Sequence, residues 1–250
     1  ISNLWENGGF FPNGIKGLLL SLQMVMFAYL GIEMIGVTAG EVKNPEKTLA
    51  RAIDSVFWRI LIFYVGALFV IMSIYPWDEI GSKGSPFVMA FEQIGIPGAA
   101  GIINFVILTA ALSSCNSGLF STGRMLFNLA EHGQAPKNFG KLTKNGVPGT
   151  AVLATSVVLL VGVLLNYIVP AKVFTWVTSI ATFGAIWTWG IILLSQISFR
   201  RGLKTRDKEK LKYKVPLFPF TSYLALAFLA FVIIVMAYNP DTRIALVVGP

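Results

Sequence analysis

A chain of 250 residues that is 55% hydrophobic, 13% charged and has a mean hydropathy of +0.70 carries too little polar surface for a soluble domain. Its formal net charge of +8 is gathered in the segments between apolar runs, which argues for membrane orientation and against a nucleic-acid face. One cysteine (Cys115) and one histidine (His132) exclude an intrachain disulfide, a cysteine-based metal site, a catalytic triad and a metal cage.

The first long apolar run, Gly17 to Gly40, reads GLLLSLQMVMFAYLGIEMIGVTAG, with Glu33 as its only formal charge. About 20 helical residues cross the roughly 30 Å hydrocarbon core. A carboxylate at that depth costs roughly 2.5–3.5 kcal/mol on insertion scales, so it marks a functional site facing a bundle interior or a cavity. Gly31 before it, with Gly36 and Gly40 after, weakens the helix there, as in a transporter's broken helix. An interruption at Leu30-Gly31-Ile32 would free backbone carbonyls at the end of an outer half, 17–29. Those carbonyls, at the negative end of a helix dipole, suit a ligand ammonium. Phe27 and Tyr29 would supply the wall or lid of a small pocket. The competing reading is a continuous helix in which Glu33 bonds to a neighbouring span.

Five further apolar stretches follow, giving expected membrane helices at about 15–40, 56–75, 98–130, 148–169, 173–199 and 217–238. A seventh begins near Arg243. Breaker pairs fall between them: Asn44-Pro45, Tyr75-Pro76, Ile96-Pro97, Val147-Pro148 and Asn239-Pro240. The third span is the most polar. Thr109, Ser113, Ser117 and Ser121 recur every four residues on one face, with Ser114 and Asn116 beside them. These side chains line a substrate or ion pathway, with Ser117 as candidate substrate contact, or they are interhelical hydrogen bonds of about 0.6 kcal/mol each. The fifth span carries Thr175, Thr178, Ser179, Thr182 and Thr188, where packing is the expected role.

Sixteen of the twenty basic residues fall on one side of this topology. They are Lys43–Arg59, Arg124–Lys144 and the Arg200–Lys214 cluster; Lys16, Lys83, Lys172 and Arg243 fall on the other. The positive-inside rule makes the first group cytoplasmic, so the first span runs inward and Pro76–Pro97 is external. No signal-peptide pattern opens the sequence. Starting at Ile1 and ending an apolar stretch at Pro250, the chain is expected to be part of a longer polypeptide. No G-x-S-x-G, H-E-x-x-H or phosphate-cradling loop occurs, so an enzyme with catalytic residues, a cofactor or a metal is not expected.

Several long stretches resemble the amino acid permeases of the amino acid–polyamine–organocation superfamily. FAYLGIEMIGVTAGEVKNPEKTLARAI resembles that family's sixth span and following loop, and SSCNSGLFSTGRMLFNLAEHGQAPK its eighth. GGFFPNG, YPWDEIGSKGSPFV and NPDTR look like its connecting loops. Within the family the likeness is to bacterial transporters for proline, aromatic amino acids or D-serine/D-alanine/glycine. FYVGALFVIMSIYPW, LNYIVP and ATFGAIWTWGIILLSQISFRR lean toward the proline branch.

The resemblance implies an all-α polytopic membrane protein, the second half of a leucine-transporter-like 5+5 inverted-repeat fold with a discontinuous first helix. Residues 1–199 would form the second repeat, 200–216 a basic cytoplasmic loop, and 217–250 an accessory helix and the start of another. It further implies that backbone at Phe27, Ala28 and Leu30 near Gly31 holds the substrate ammonium. Glu33 would take part in proton coupling, and Tyr29, Ser113, Ser114 and Asn116 would flank the pathway. The substrate carboxylate and a coupling lysine belong to a missing N-terminal repeat. The expected activity is secondary transport of a small neutral amino acid with a proton, across the bacterial cytoplasmic membrane. An exchanger, a non-transporting receptor or scaffold of the same fold, and a channel are the competing classes.

Overall fold

The computed structural model describes residues 2–37, 39, 42–80, 85–93, 95, 98–204, 206–207, 211 and 213–249. Gly40, Lys83, Ile96-Pro97, Lys208, Lys210 and Lys212, which entered the expectations above, lie outside the described residues.

The fold is all-helical, with no strand among the described residues. In chain order the α-helices are α1 (Asn3–Glu6), α2 (Gly14–Ala28), α3 (Met34–Val37), α4 (Pro45–Arg59), α5 (Gly66–Ile74) and α6 (Pro86–Gln93). They continue as α7 (Ala99–Glu131), α8 (Gly149–Ile168), α9 (Pro170–Gly202), α10 (Phe220–Tyr238) and α11 (Ile244–Val248). A π-helical stretch, Ile60–Val65, joins α4 to α5, and a 3-10 turn, Lys137–Gly140, precedes α8.

Among the described residues, five helical runs are long and apolar enough to cross a bilayer: Lys47–Ile74, Ala99–Glu131, Gly149–Ile168, Lys172–Gly202 and Phe220–Tyr238. The expected first span is not one helix. It ends as the 15-residue α2, passes through turns, and resumes as the four-residue α3.

The second helical run begins at Pro45 rather than near residue 56. Proline suits a first helical turn because its missing N–H has no partner to lose there. The extra turns carry Lys47, Arg51 and Asp54, so apolar length alone does not reveal them.

The chain divides into two compact units, Ile1–Phe10 with Ile60–Val169, and Phe11–Arg59 with Pro170–Pro250. In the first unit, α7 packs against α6 and α8. Gly123 permits a close approach there, since a Cβ would sit 2.8 Å from Val152 Cγ2. The Asn3 amide donates to the Ser73 and Ile74 carbonyls at 3.1 and 2.8 Å, and Trp77 Nε1 donates to the Asn7 carbonyl at 2.8 Å. The first two bonds satisfy carbonyls left open where α5 ends, and the third a carbonyl at the end of α1.

In the second unit, α2 packs on α9 and α10, and α9 also holds α11. The core is Met26, Phe183, Ile186, Leu229, Val232, Met236 and Ala245. A buried polar thread crosses it. Gln23 Nε2 donates to Thr182 Oγ1 at 3.2 Å, and that hydroxyl donates to the Thr178 carbonyl at 2.7 Å. Each buried donor thereby has an acceptor. Thr178, Ser179 and Thr182 are 2%, 0% and 0% exposed, so these three fifth-span hydroxyls are packed inside.

Candidate functional site

The break in the first span centres on Gly31. Gly31 has φ +102°, a left-handed conformation that side-chain-bearing residues rarely adopt. Around it the backbone tightens into three-residue turns. Tyr29 N–H donates to the Met26 carbonyl at 3.2 Å, Leu30 N–H to Phe27 at 3.1 Å, and Ile32 N–H to Tyr29 at 3.5 Å. The chain re-enters a helix with Met34 N–H on the Gly31 carbonyl at 3.1 Å.

The interruption therefore covers Tyr29 to Glu33, wider than the expected Leu30–Ile32, and Glu33 lies within it rather than opening the inner half. The Phe27 and Tyr29 carbonyls are not vacated, as the sequence suggested, because each accepts one turn bond. A carbonyl has two lone pairs, so that of Phe27 retains acceptor capacity toward an ammonium.

Glu33 caps the break. Its Oε2 and Oε1 accept from the Gly31 N–H at 3.1 and 3.3 Å. Its Oε2 also accepts from Trp189 Nε1 of α9 at 3.1 Å. The Gly31 amide, turned out of the α-helical ladder by its positive φ, is thus paired with a carboxylate two residues on. The two sequence readings of Glu33 turn out to coexist: the helix is broken, and Glu33 bonds a neighbouring span.

Beside the carboxylate lies a cavity of about 550 Å³ between α3, α4, α9 and α10. Its walls include Ile35, Ile53, Ile192, Phe228 and Leu229, with Glu33 and Trp189 at one side. The apolar wall next to Glu33 is therefore drawn from these helices, while Phe27 and Tyr29 are half-buried and do not line it. Ala28, Leu30 and Gly31 are exposed.

The polar face of α7 belongs to the other unit. Ser113, Ser114, Asn116 and Ser117 are exposed there. Ser117 Oγ donates to the Ser113 carbonyl at 3.0 Å, Ser121 Oγ to the Ser117 carbonyl at 2.8 Å, and Thr109 Oγ1 to the Val106 carbonyl at 2.8 Å. These hydroxyls spend their protons on their own helix; those of Thr109 and Ser117 present oxygen acceptors outward, whereas Ser121 is buried. Ser114 also lines a cavity of about 380 Å³ with Thr122 and Thr155.

Trp189 was not anticipated. Its partner is 156 residues away along the chain, and nothing in the local spacing of α9 distinguishes its indole from the aromatic neighbours Trp187 and Trp176.

Comparison with known proteins places this geometry. The profile of the amino acid permease family matches residues 1–246. The chain is 79% identical over 250 residues to the uncharacterized amino acid permease YtnA of Bacillus subtilis (strain 168), covering 100% of this chain and 54% of that protein. It is 54% identical over 249 residues to the probable threonine/serine transporter YbxG of the same strain, again covering 100% of the chain and 54% of the relative. It is 45% identical over 251 residues to the D-serine/D-alanine/glycine transporter of Escherichia coli (strain K12), covering 100% of the chain and 53% of the relative. The chain thus spans about half the length of the curated relatives it matches. No solved structure matches it. The resemblance read from the FAYLGIE and SSCNSGLFSTGR stretches is borne out at the level of the family: with membrane-length helices, a glycine break and a profile match across nearly every residue, this multi-pass chain belongs to the amino acid permease family, a family of permeases rather than enzymes.

Proposed function

We propose that this chain supplies the substrate-holding and coupling elements of a secondary transporter for small neutral amino acids, a proton symporter of the bacterial cytoplasmic membrane working by alternating access. The observation that carries the reading is the Gly31 break capped by the Glu33 carboxylate, within a chain of the amino acid permease family. The names of two relatives, a probable threonine/serine transporter and a D-serine/D-alanine/glycine transporter, support a small neutral substrate.

In this reading the ammonium of the amino acid meets backbone at Phe27, Ala28 and Leu30, near Gly31, at the C-terminal, partially negative end of α2. Ser117 and its neighbours Ser113, Ser114 and Asn116 offer the outward acceptors of α7 to the pathway. Glu33 exchanges the coupled proton, because it is the one carboxylate at the break. A repeat preceding this chain completes the site, as expected for binding at a repeat interface near the membrane midplane. The cytoplasmic face carries the Arg200–Lys214 cluster.

Reconstitution of the whole gene product in proteoliposomes tests this. An inward proton gradient should drive saturable accumulation of labelled L-serine, L-alanine or glycine, and a protonophore should abolish it. Uptake only after internal preloading would make the protein an exchanger. Non-saturating flux would make it a channel, and no flux under any gradient would leave a receptor or scaffold.

A further inference from the structure

We propose that Trp189 is a positioning residue for Glu33: its indole N–H fixes the carboxylate that caps the Gly31 break, and so ties the substrate-facing turn to α9. The proposal rests on the transport reading above for its consequence, but its structural content stands on the geometry alone.

Three observations carry it. Glu33 Oε2 is shared between two donors, Gly31 N–H and Trp189 Nε1, each at 3.1 Å. Among the residues lining the adjoining cavity from α3, α4, α9 and α10, Trp189 alone carries a side-chain donor and Glu33 alone is titratable or charged. No other side chain of those walls can take over the indole's task. Finally, α9 is a firm support, for Thr182 and Ile186, two turns and one turn before Trp189, are 0% and 1% exposed. The Tyr29–Glu33 turn, by contrast, has Leu30, Gly31 and Ile32 exposed.

The chemistry follows from the donor inventory. An ionised carboxylate only accepts, so it can receive both the indole and the amide. Indole N–H and backbone N–H only donate. A proton on the carboxyl removes its charge and turns one acceptor position into a donor, leaving a neutral acceptor for both partners. The charged form therefore holds the turn to α9 more firmly than the neutral form, because bonds to an ionised acceptor are the stronger ones. Trp189 thus converts the protonation state of Glu33 into the position of the backbone at Phe27–Gly31.

Two variants of the whole gene product test this: Trp189→Phe, and 3-benzothienylalanine inserted at position 189, which keeps the ring shape but has no donor. Trp187→Phe is the control, because Trp187 is exposed and stacks on Phe183. In detergent, amide exchange of a peptide covering 29–36 should speed up about tenfold in both 189 variants and stay as wild type in the control, the scale expected when a hydrogen bond to a charged group is lost. In proteoliposomes the KM for labelled L-serine should rise about tenfold, with kcat within about twofold. In a Glu33→Ala background the 189 variants should add nothing further. Unchanged exchange at 29–36 with the benzothienyl side chain would overturn the proposal. If the wild-type protein takes up no amino acid, the transport reading fails, while the exchange measurement still decides the role of Trp189.

Discussion

Helices α7 and α8 of one unit and α9 and α10 of the other are equally membrane-like in composition but differ in how much they are enclosed. Their most apolar windows have mean hydropathies of 1.6 and 2.3 against 1.7 and 2.4, yet 6% and 6% of those windows is buried, against 33% and 28%. Hydropathy thus reports that a helix belongs in a membrane and says nothing about what it packs on, because lipid tails are as apolar as leucine. The polar residues tell the two regions apart. On α9, Thr178, Ser179 and Thr182 are enclosed and Thr182 is joined to Gln23 of α2. On α7 a comparable ladder, Thr109, Ser113 and Ser117, faces out, and the Thr109 and Ser117 hydroxyls bond back to their own helix. One ladder stitches helices together, and the other is available for something else to meet.

The largest expected effect comes from attacking the break that sits on the enclosed side. Gly31→Val puts a β-branched residue at φ +102°, where strain of roughly 1–3 kcal/mol is expected and the turn must rearrange. Uptake by the whole gene product should fall at least tenfold while folded yield drops less. Wild-type uptake in the valine variant would show that the left-handed turn is dispensable.

A smaller effect separates tight from loose packing on the exposed side. Gly123→Leu forces a side chain against Val152, where even a Cβ would sit at 2.8 Å, and should cost about 1–3 kcal/mol. Thermal unfolding in detergent should move down by several degrees for this variant. Gly101→Ala, with nothing within 4 Å of the added carbon, should leave the midpoint nearly unchanged. Equal midpoints for the two would contradict the close α7–α8 approach.

The smallest expected stability effects bear on the two hydroxyl ladders directly. Thr182→Val strips the buried Gln23 amide of its acceptor and should cost on the order of 1 kcal/mol. Ser117→Ala should change stability by less than about 0.5 kcal/mol, since it loses only a bond to its own helix. In transport the order should reverse, with Ser117→Ala lowering uptake more than Thr182→Val. The same ranking in both assays would erase the distinction between the ladders.

Much of this was legible in the sequence, for identifiable reasons. The apolar runs are long, so their helices emerge within a few residues of the expected bounds, as for α7 at Ala99–Glu131 against 98–130. Gly31 two residues before Glu33 signalled a break because glycine next to a buried charge weakens a helix locally, and local patterns are what a sequence displays. The start of α4 at Pro45 was not legible, because its first turns are amphipathic rather than apolar. Neither was the short α6, Pro86–Gln93, which lies in a segment that reads as a connecting loop. The partner of Glu33 was hidden for a different reason. Trp189 reaches it through tertiary packing of α9, and no spacing rule links residues 156 positions apart.

The central claim is that the Glu33 carboxylate at the break is the element through which protons drive transport. The direct measurement is accumulation of labelled L-serine by reconstituted Glu33→Gln protein under an imposed inward proton gradient, compared with serine–serine exchange at equal pH in the same vesicles. Glutamine keeps the side-chain length and an acceptor oxygen for Gly31 and Trp189 but cannot carry the proton. Exchange should persist within a few-fold of wild type while gradient-driven accumulation disappears. Wild-type accumulation by Glu33→Gln would contradict the claim and leave Glu33 as a bond that only pins the broken helix to α9.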